Sequence, residues 1–267
     1  MPPTQPDDAD TLAALRTEID EIDAQMHALL QRRATVIEAL VKAKKTRSGA
    51  AFRPDREAHM MQRLAARHKG ELPFLTIAHI WRVIISTFTQ LQASYRVYLG
   101  GEDPALRDLA RYQFGFSTPL VPCPDRESAL MTLSDTSSDL SLVFNGGDAD
   151  WWTAALDRGG HVIAVLPELS GRDGDVFHPA LVFAANSVSV DALPLVILAL
   201  SSENAGPLAR LIETEGCTAL IGPVEQGTRA LVSIDRDRAE QFNASAHALG
   251  VAFRAAGGAA APVGPKA

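Results

Sequence analysis

Between residues 10 and 46 apolar side chains recur at threes and fours: Leu12, Leu15, Ile19, Ile22, Met26, Leu29, Leu30, then Val36, Ile37, Leu40 and Val41. This period predicts one amphipathic helix. It opens near Thr11 behind a run of acids, contains no Gly or Pro, and closes on KAKKTRSG, cations followed by glycine. At 1.5 Å per residue it is about 55 Å long. A second helix is predicted from Pro54 to about residue 69. Proline suits a first helical position, where its missing N–H has no partner to lose. A third helix is predicted over PFLTIAHIWRVIISTFTQLQASY, about 73–95. Two short helices cannot cover the apolar stripe of the long one. The stripe therefore implies a homodimer with paired first helices, or a simple coiled-coil dimerisation module.

At Arg96 the pattern changes. RVYLGG, TPLVPC, DLSLVF, HVIAVLPE and ALVFAA are strand candidates. DPALRDLARYQFG, DRESALMTLS and DADWWTAALDRGG are helical candidates between them. Strands alternating with helices predict an α/β unit with a mainly parallel sheet. From about 191 the order becomes βαββαβ, through PLVILALS, AGPLARLIETEG, TALIGPV, RALVSI, RDRAEQFNASAHALG and VAFRAAG, the arrangement of a ferredoxin-like sandwich. The expected organisation is multidomain: an all-α domain over 1–95, an α/β region over 96–190, a βαββαβ region over 191–256 and a disordered tail over 257–267.

Charge sharpens this division. The net charge of −7 divides into about +2 on residues 1–95 and −9 on the remainder, and four of the five lysines lie in the first part. The acidic part is a poor partner for nucleic acid or an anionic membrane. The two cysteines, Cys123 and Cys217, have no metal-ligand spacing and suggest a reduced, cytoplasmic chain. MPPTQPDDAD lacks the basic and apolar regions of a signal peptide. The longest purely apolar run, LPLVILAL, is far shorter than the roughly 20 residues of a membrane span.

The candidate chemistry lies among charged and polar residues on or beside the apolar stripes. Arg33 and Lys44 are close to three full turns apart on nearly the same helix face, at most about 17 Å at the backbone, so their side chains can converge on one small anion. Arg16 lies about 25 Å before Arg33 on another face and reaches the same ligand only from a partner subunit. Glu57 sits one turn into the second helix, and Gln92 near the end of the third. Arg, Arg, Lys, Glu and Gln include no nucleophile, and the single acid has no evident general-base partner. The set suits binding of a dianion with little proton transfer. Each residue alone also fits a solvated helical face.

With LRTEIDEID, LLQRRATVIEALVKAKK, RPDRE and IWRVIISTFTQLQ in this order, residues 11–95 resemble the all-α chorismate mutases, specifically the mutase domain of the bifunctional chorismate mutase–prephenate dehydratase type. The resemblance implies a three-helix, intertwined-dimer domain that rearranges chorismate to prephenate without a cofactor. It implies that Arg16 crosses from the other subunit to one carboxylate and that Arg33 holds the second. It places Lys44 on a carboxylate and the ether oxygen, Glu57 on the ring hydroxyl, Gln92 on the ether oxygen from the opposite side, and Arg56 at the edge of the site. Two positions depart from the family pattern: Arg53 stands where an acid is common, and Phe88 where a serine is common.

VYLGGEDPALRDLARYQFG and DLSLVF faintly resemble the start of prephenate dehydratase. The Pro-Ile-Glu-Asn segment is replaced by NGGD, the Thr-Arg-Phe motif is missing, and the region is about half the usual length. The resemblance therefore implies a degenerate lobe, with Trp151 and Trp152 as core or interface residues. The βαββαβ stretch resembles an ACT domain. SSENAGPLARLIETEGC would form its strand-to-helix turn, with Gly206 and Leu208 at a possible site for an aromatic amino acid effector. A non-catalytic, metabolite- or partner-binding protein on a mutase scaffold and a retained dehydratase are the alternatives.

Overall fold

The computed structural model describes residues 8–43, 52–134, 138–146, 150–167, 180–185, 190–224 and 226–263. The chain divides into two compact units, residues 1–47 and 48–267.

The first unit holds one helix, α1 (Asp8–Ala43), where the period predicts it. Its stripe of Leu12, Leu15, Ile19, Ile22, Met26, Leu29, Leu30 and Val36 is exposed.

The second unit starts with α2 (Pro54–Arg67) and α3 (Phe74–Gln92). Pro54 occupies the first turn of α2, Asp55 and Glu57 favour the positive end of the helix dipole, and the Glu57 amide donates to the Arg53 carbonyl at 3.0 Å. Met61 and Leu64 of α2 pack on Phe74, Ala78 and Ile85 of α3. These positions recur at threes and fours on both helices, so each presents one apolar stripe to the other. α3 has the length and composition of a membrane span. Here its buried face packs within the protein, and His79 stacks on Tyr112 of the next helix at 5.2 Å.

The sheet has nine strands: β1 (Val97–Gly100), β2 (Leu120–Cys123), β3 (Leu140–Phe144), β4 (His161–Leu166), β5 (Ala180–Ala184), β6 (Leu195–Ser201), β7 (Thr218–Val224), β8 (Arg229–Asp235) and β9 (Ala252–Ala259). Helices α4 (Pro104–Phe114), α5 (Arg126–Leu130), α6 (Thr153–Asp157), α7 (Ala205–Glu215) and α8 (Ala239–Ala248) connect or cover them. The strand order is β2-β1-β3-β5-β4-β9-β6-β8-β7. Leu106, Ala110 and Phe114 of α4 cover one face of β1 with Val97 and Leu99. Ala129 and Leu130 of α5 lie in the core of the other face. α3 approaches α4 closely at Gly115, which has φ +72°; a Cβ there would lie 2.5 Å from the Ser86 hydroxyl.

Three expectations are corrected. The sheet over 96–190 is mixed: β1 is parallel to β2 and β3, but β5 runs antiparallel to both β3 and β4. Antiparallel neighbours need no helical crossover, and the β4–β5 connection carries no helical period, only PELSGRDGDVFHP. Second, of the helix expected over 148–160, the described residues form only Thr153–Asp157. Trp151 and Trp152 immediately before it are buried in the core. Third, the expected disordered tail starts too early, because β9 runs to Ala259, and Ala259 and Ala260 are buried.

The βαββαβ stretch forms an antiparallel four-stranded part of the sheet in the order β9-β6-β8-β7. Leu208 and Leu211 of α7 and Phe242 and Ala246 of α8 pack on Leu198, Leu200 and Val232. On the opposite face, Ile197, Ala199 and Leu231 share a core with Trp151 and Trp152. β9 joins the two halves of the sheet: it pairs antiparallel with β6 and, at Gly257, parallel with Val162 of β4. Gly257 has φ +141°, and a Cβ would stand 1.9 Å from the Val162 carbonyl oxygen. Only glycine fits this joint.

Candidate active site

The residues singled out from the sequence lie on both units. Arg16 and Arg33 are on α1, the first exposed and the second half-buried. Lys44 lies outside the described residues. Arg56, Glu57 and Gln92 belong to the second unit.

Glu57 is brought inward. It is 6% exposed, in the stripe that continues to Met61 and Leu64. Its Oε2 accepts from Arg82 Nη1 at 3.0 Å, and Arg82 is 1% exposed. A charge-assisted bond of this kind fixes both side chains. Arg82 lies one turn beyond Ala78 and one turn before Ile85, so the apolar stripe of α3 carries a single cation that meets the single acid of α2's stripe. The sequence reading missed Arg82. The available signal was a lone arginine inside IWRVIISTF, since a charge at an apolar position calls for a buried partner.

A third polar group, Tyr95, feels the Glu57 charge. Tyr95 is buried, at 6.5 Å edge-on to Phe114, and its hydroxyl oxygen accepts from Thr118 Oγ1 at 3.4 Å. Burial holds the Tyr95 hydroxyl well above the usual phenol range; the Thr118 bond opposes this and the Glu57 charge adds to it. Gln90 sets the turn that delivers Tyr95: its amide nitrogen donates to the Tyr95 carbonyl at 2.6 Å and its oxygen accepts from the Tyr95 amide at 3.4 Å.

Arg56 is exposed, next to Glu57 in sequence but on the outer face. Arg53, Asp55, Arg56, His59, Gln62 and Arg63 line a groove of about 710 Å³ along that face of α2. Arg53 pairs with Asp55 at 3.5 Å, which explains a cation tolerated at a helix N-terminus. The groove keeps a cationic excess suited to an anionic ligand. Gln92 is half-buried, and its amide donates back to the Phe88 carbonyl at 3.1 Å. Phe88 itself is buried.

At the other candidate site, Gly206 opens α7 with no atom within 4 Å of where a Cβ would project. Leu208, expected beside it, is fully buried against the sheet. Among the described residues no cluster of His, Cys, Asp and Glu could hold a metal ion.

Residues 15–93 match the chorismate mutase type II family. The matched segment takes in most of α1 and all of α2 and α3, and stops before the sheet. Two bifunctional chorismate mutase/prephenate dehydratases are similar to the chain. That of Neisseria gonorrhoeae is 29% identical over 46% of this chain and 34% of its own length. That of Pseudomonas aeruginosa is 34% identical over 43% of this chain and 34% of its own. The chain thus spans about a third of the length of the curated relatives it matches. Among solved structures, a prephenate dehydratase from Streptococcus mutans aligns with 64% of this chain and 99% of its own, at 13% identity and a TM-score of 0.42.

Proposed function

We propose that the protein is a chorismate mutase that carries out the intramolecular rearrangement of chorismate to prephenate in aromatic amino acid biosynthesis. The observation that carries the reading is the match of residues 15–93 to the mutase family; the site proposed with it is Arg16, Arg33, Lys44, Arg56, Glu57 and Gln92. In this reading the cations hold the two substrate carboxylates and Glu57 accepts the ring hydroxyl. The chain then orients the enolpyruvyl group over the ring. Lys44 and Gln92 stabilise charge growing on the ether oxygen as the C–O bond breaks. No step needs a cofactor or a proton acceptor. Gln92 would exchange its bond to the Phe88 carbonyl for one to the substrate.

The exposed stripe of α1 supports a homodimer in which Arg16 crosses between subunits. The two free cysteines support a reducing, cytoplasmic setting. The domain division proposed is 1–95, 96–190 and 191 onward, with the last part ACT-like. The βαββαβ order and the antiparallel β9-β6-β8-β7 arrangement support that reading, and the open space at Gly206 leaves room for an effector beside the backbone. The central part is proposed as a dehydratase-like lobe that no longer catalyses, because the Thr-Arg-Phe motif is missing.

The deciding experiment follows ultraviolet loss of chorismate by the full chain, with phenylpyruvate measured alongside. Chorismate loss with prephenate as the product is the expected result. No loss establishes the non-catalytic scaffold instead, and phenylpyruvate establishes a retained dehydratase. Calorimetry with phenylalanine, tyrosine and tryptophan tests the effector site, and absence of heat with all three counts against it.

A further inference from the structure

The family positions account for Glu57 but not for the buried cation opposite it. Arg82 cannot be a ligand: at 1% exposure its guanidinium has no face open to a substrate. Neither is it incidental to the core, because removing a guanidinium from water is unfavourable unless it is paired and hydrogen-bonded. Its bond to Glu57 Oε2 spans from α3 to α2 at 3.0 Å. That bond ties one oxygen of the Glu57 carboxylate to α3.

We infer that Arg82 is a positioning residue for the mutase reaction: it holds Glu57 aimed for the substrate hydroxyl without meeting the substrate. This rests on the mutase reading of Glu57. The contact it prepares exists in the bound substrate as well as in the transition state, because the ring hydroxyl takes no part in the bond changes. Loss of Arg82 therefore weakens substrate binding more than turnover.

The test uses the full chain with chorismate as substrate and compares Arg82→Met, Arg82→Lys and Glu57→Gln, each checked for folding by circular dichroism and thermal melting. Arg82→Met is expected to raise KM about tenfold or more, the equivalent of one hydrogen bond to a charged group, with a much smaller change in kcat. Arg82→Lys keeps the charge but replaces the planar fork by a point donor, and its KM falls between the two. In the Glu57→Gln background either Arg82 substitution adds little further to KM, because the group it positions has gone. A folded Arg82→Met with unchanged KM overturns the inference, as does a KM rise of the same size in the Glu57→Gln background. If Arg82→Met does not fold, Arg82→Lys decides by the same two criteria. A wild-type chain that does not consume chorismate removes the mutase reading and this inference with it. A wild-type chain that does, beside Arg82 variants of normal KM, removes the inference alone.

Discussion

Two helices of this protein carry similar apolar patterns and meet different fates. α3 turns its stripe onto α2 and α4, and even its single interior cation is buried there against Glu57. α1 is nearly twice as long and leaves eight large apolar side chains exposed. A stripe in a sequence states that something must cover it, but not what. For α3 the cover is in the same unit of the same chain. For α1 the proposed cover is a second subunit.

The contrast can be broken from the α3 side first. Glu57→Met leaves the Arg82 charge buried without its carboxylate, and about 3–5 kcal/mol of stability is expected to be lost. Denaturant melts would show it, and a loss within 1 kcal/mol would mean that the pair is solvated in solution. For Lys44 the comparable substitution is expected to act on chemistry instead of folding. Lys44→Ala is expected to leave the melt unchanged and cut kcat/KM more than a hundredfold, about 2.7–4 kcal/mol in the barrier. Near-normal activity in that variant would sink the site assignment.

Two smaller effects sharpen the comparison. Leu15→Glu with Ile19→Glu places charges on the exposed stripe, and the expected result is a folded monomer by sedimentation in place of a dimer. An unchanged dimer would assign the contact to another surface. The last prediction concerns the βαββαβ region. Burial, with Glu215 adding, raises the Cys217 thiol to about 11, against the small opposing effect of Arg238. A group with a raised folded pKa favours the folded state fully below its unfolded value of 9.0, and this contribution is lost as pH climbs toward about 11. A gradual fall in Tm over that window is expected, shallower in Cys217→Ala. Identical slopes would show that Cys217 does not contribute.

The fold was readable where a local period sufficed. α2 starts at Pro54 as expected, and β7 matches the run TALIGPV. Pairing was less readable. Nothing within ALVFAA states that β5 runs against β3 and β4, since strand direction depends on how the chain returns from β4. The glycine pair in RAAGGAA resembled the start of a tail, whereas Gly257 is where two halves of a sheet touch. At the site, Glu57 was legible from its motif. Arg82, 25 positions further along, was not, because only the crossing of α2 and α3 brings the two together.

The sequence by itself determined the elements, the amphipathic faces and the residue types able to bind a dianion, because helical and strand periods and side-chain chemistry are local properties. Tertiary structure alone decided that the sheet continues through β9, that Leu208 belongs to the core and that Glu57 is held by a buried guanidinium. Those outcomes depend on which distant segments exclude water from one another, and a side chain's neighbours across a packed interface are not written in its own stretch of chain.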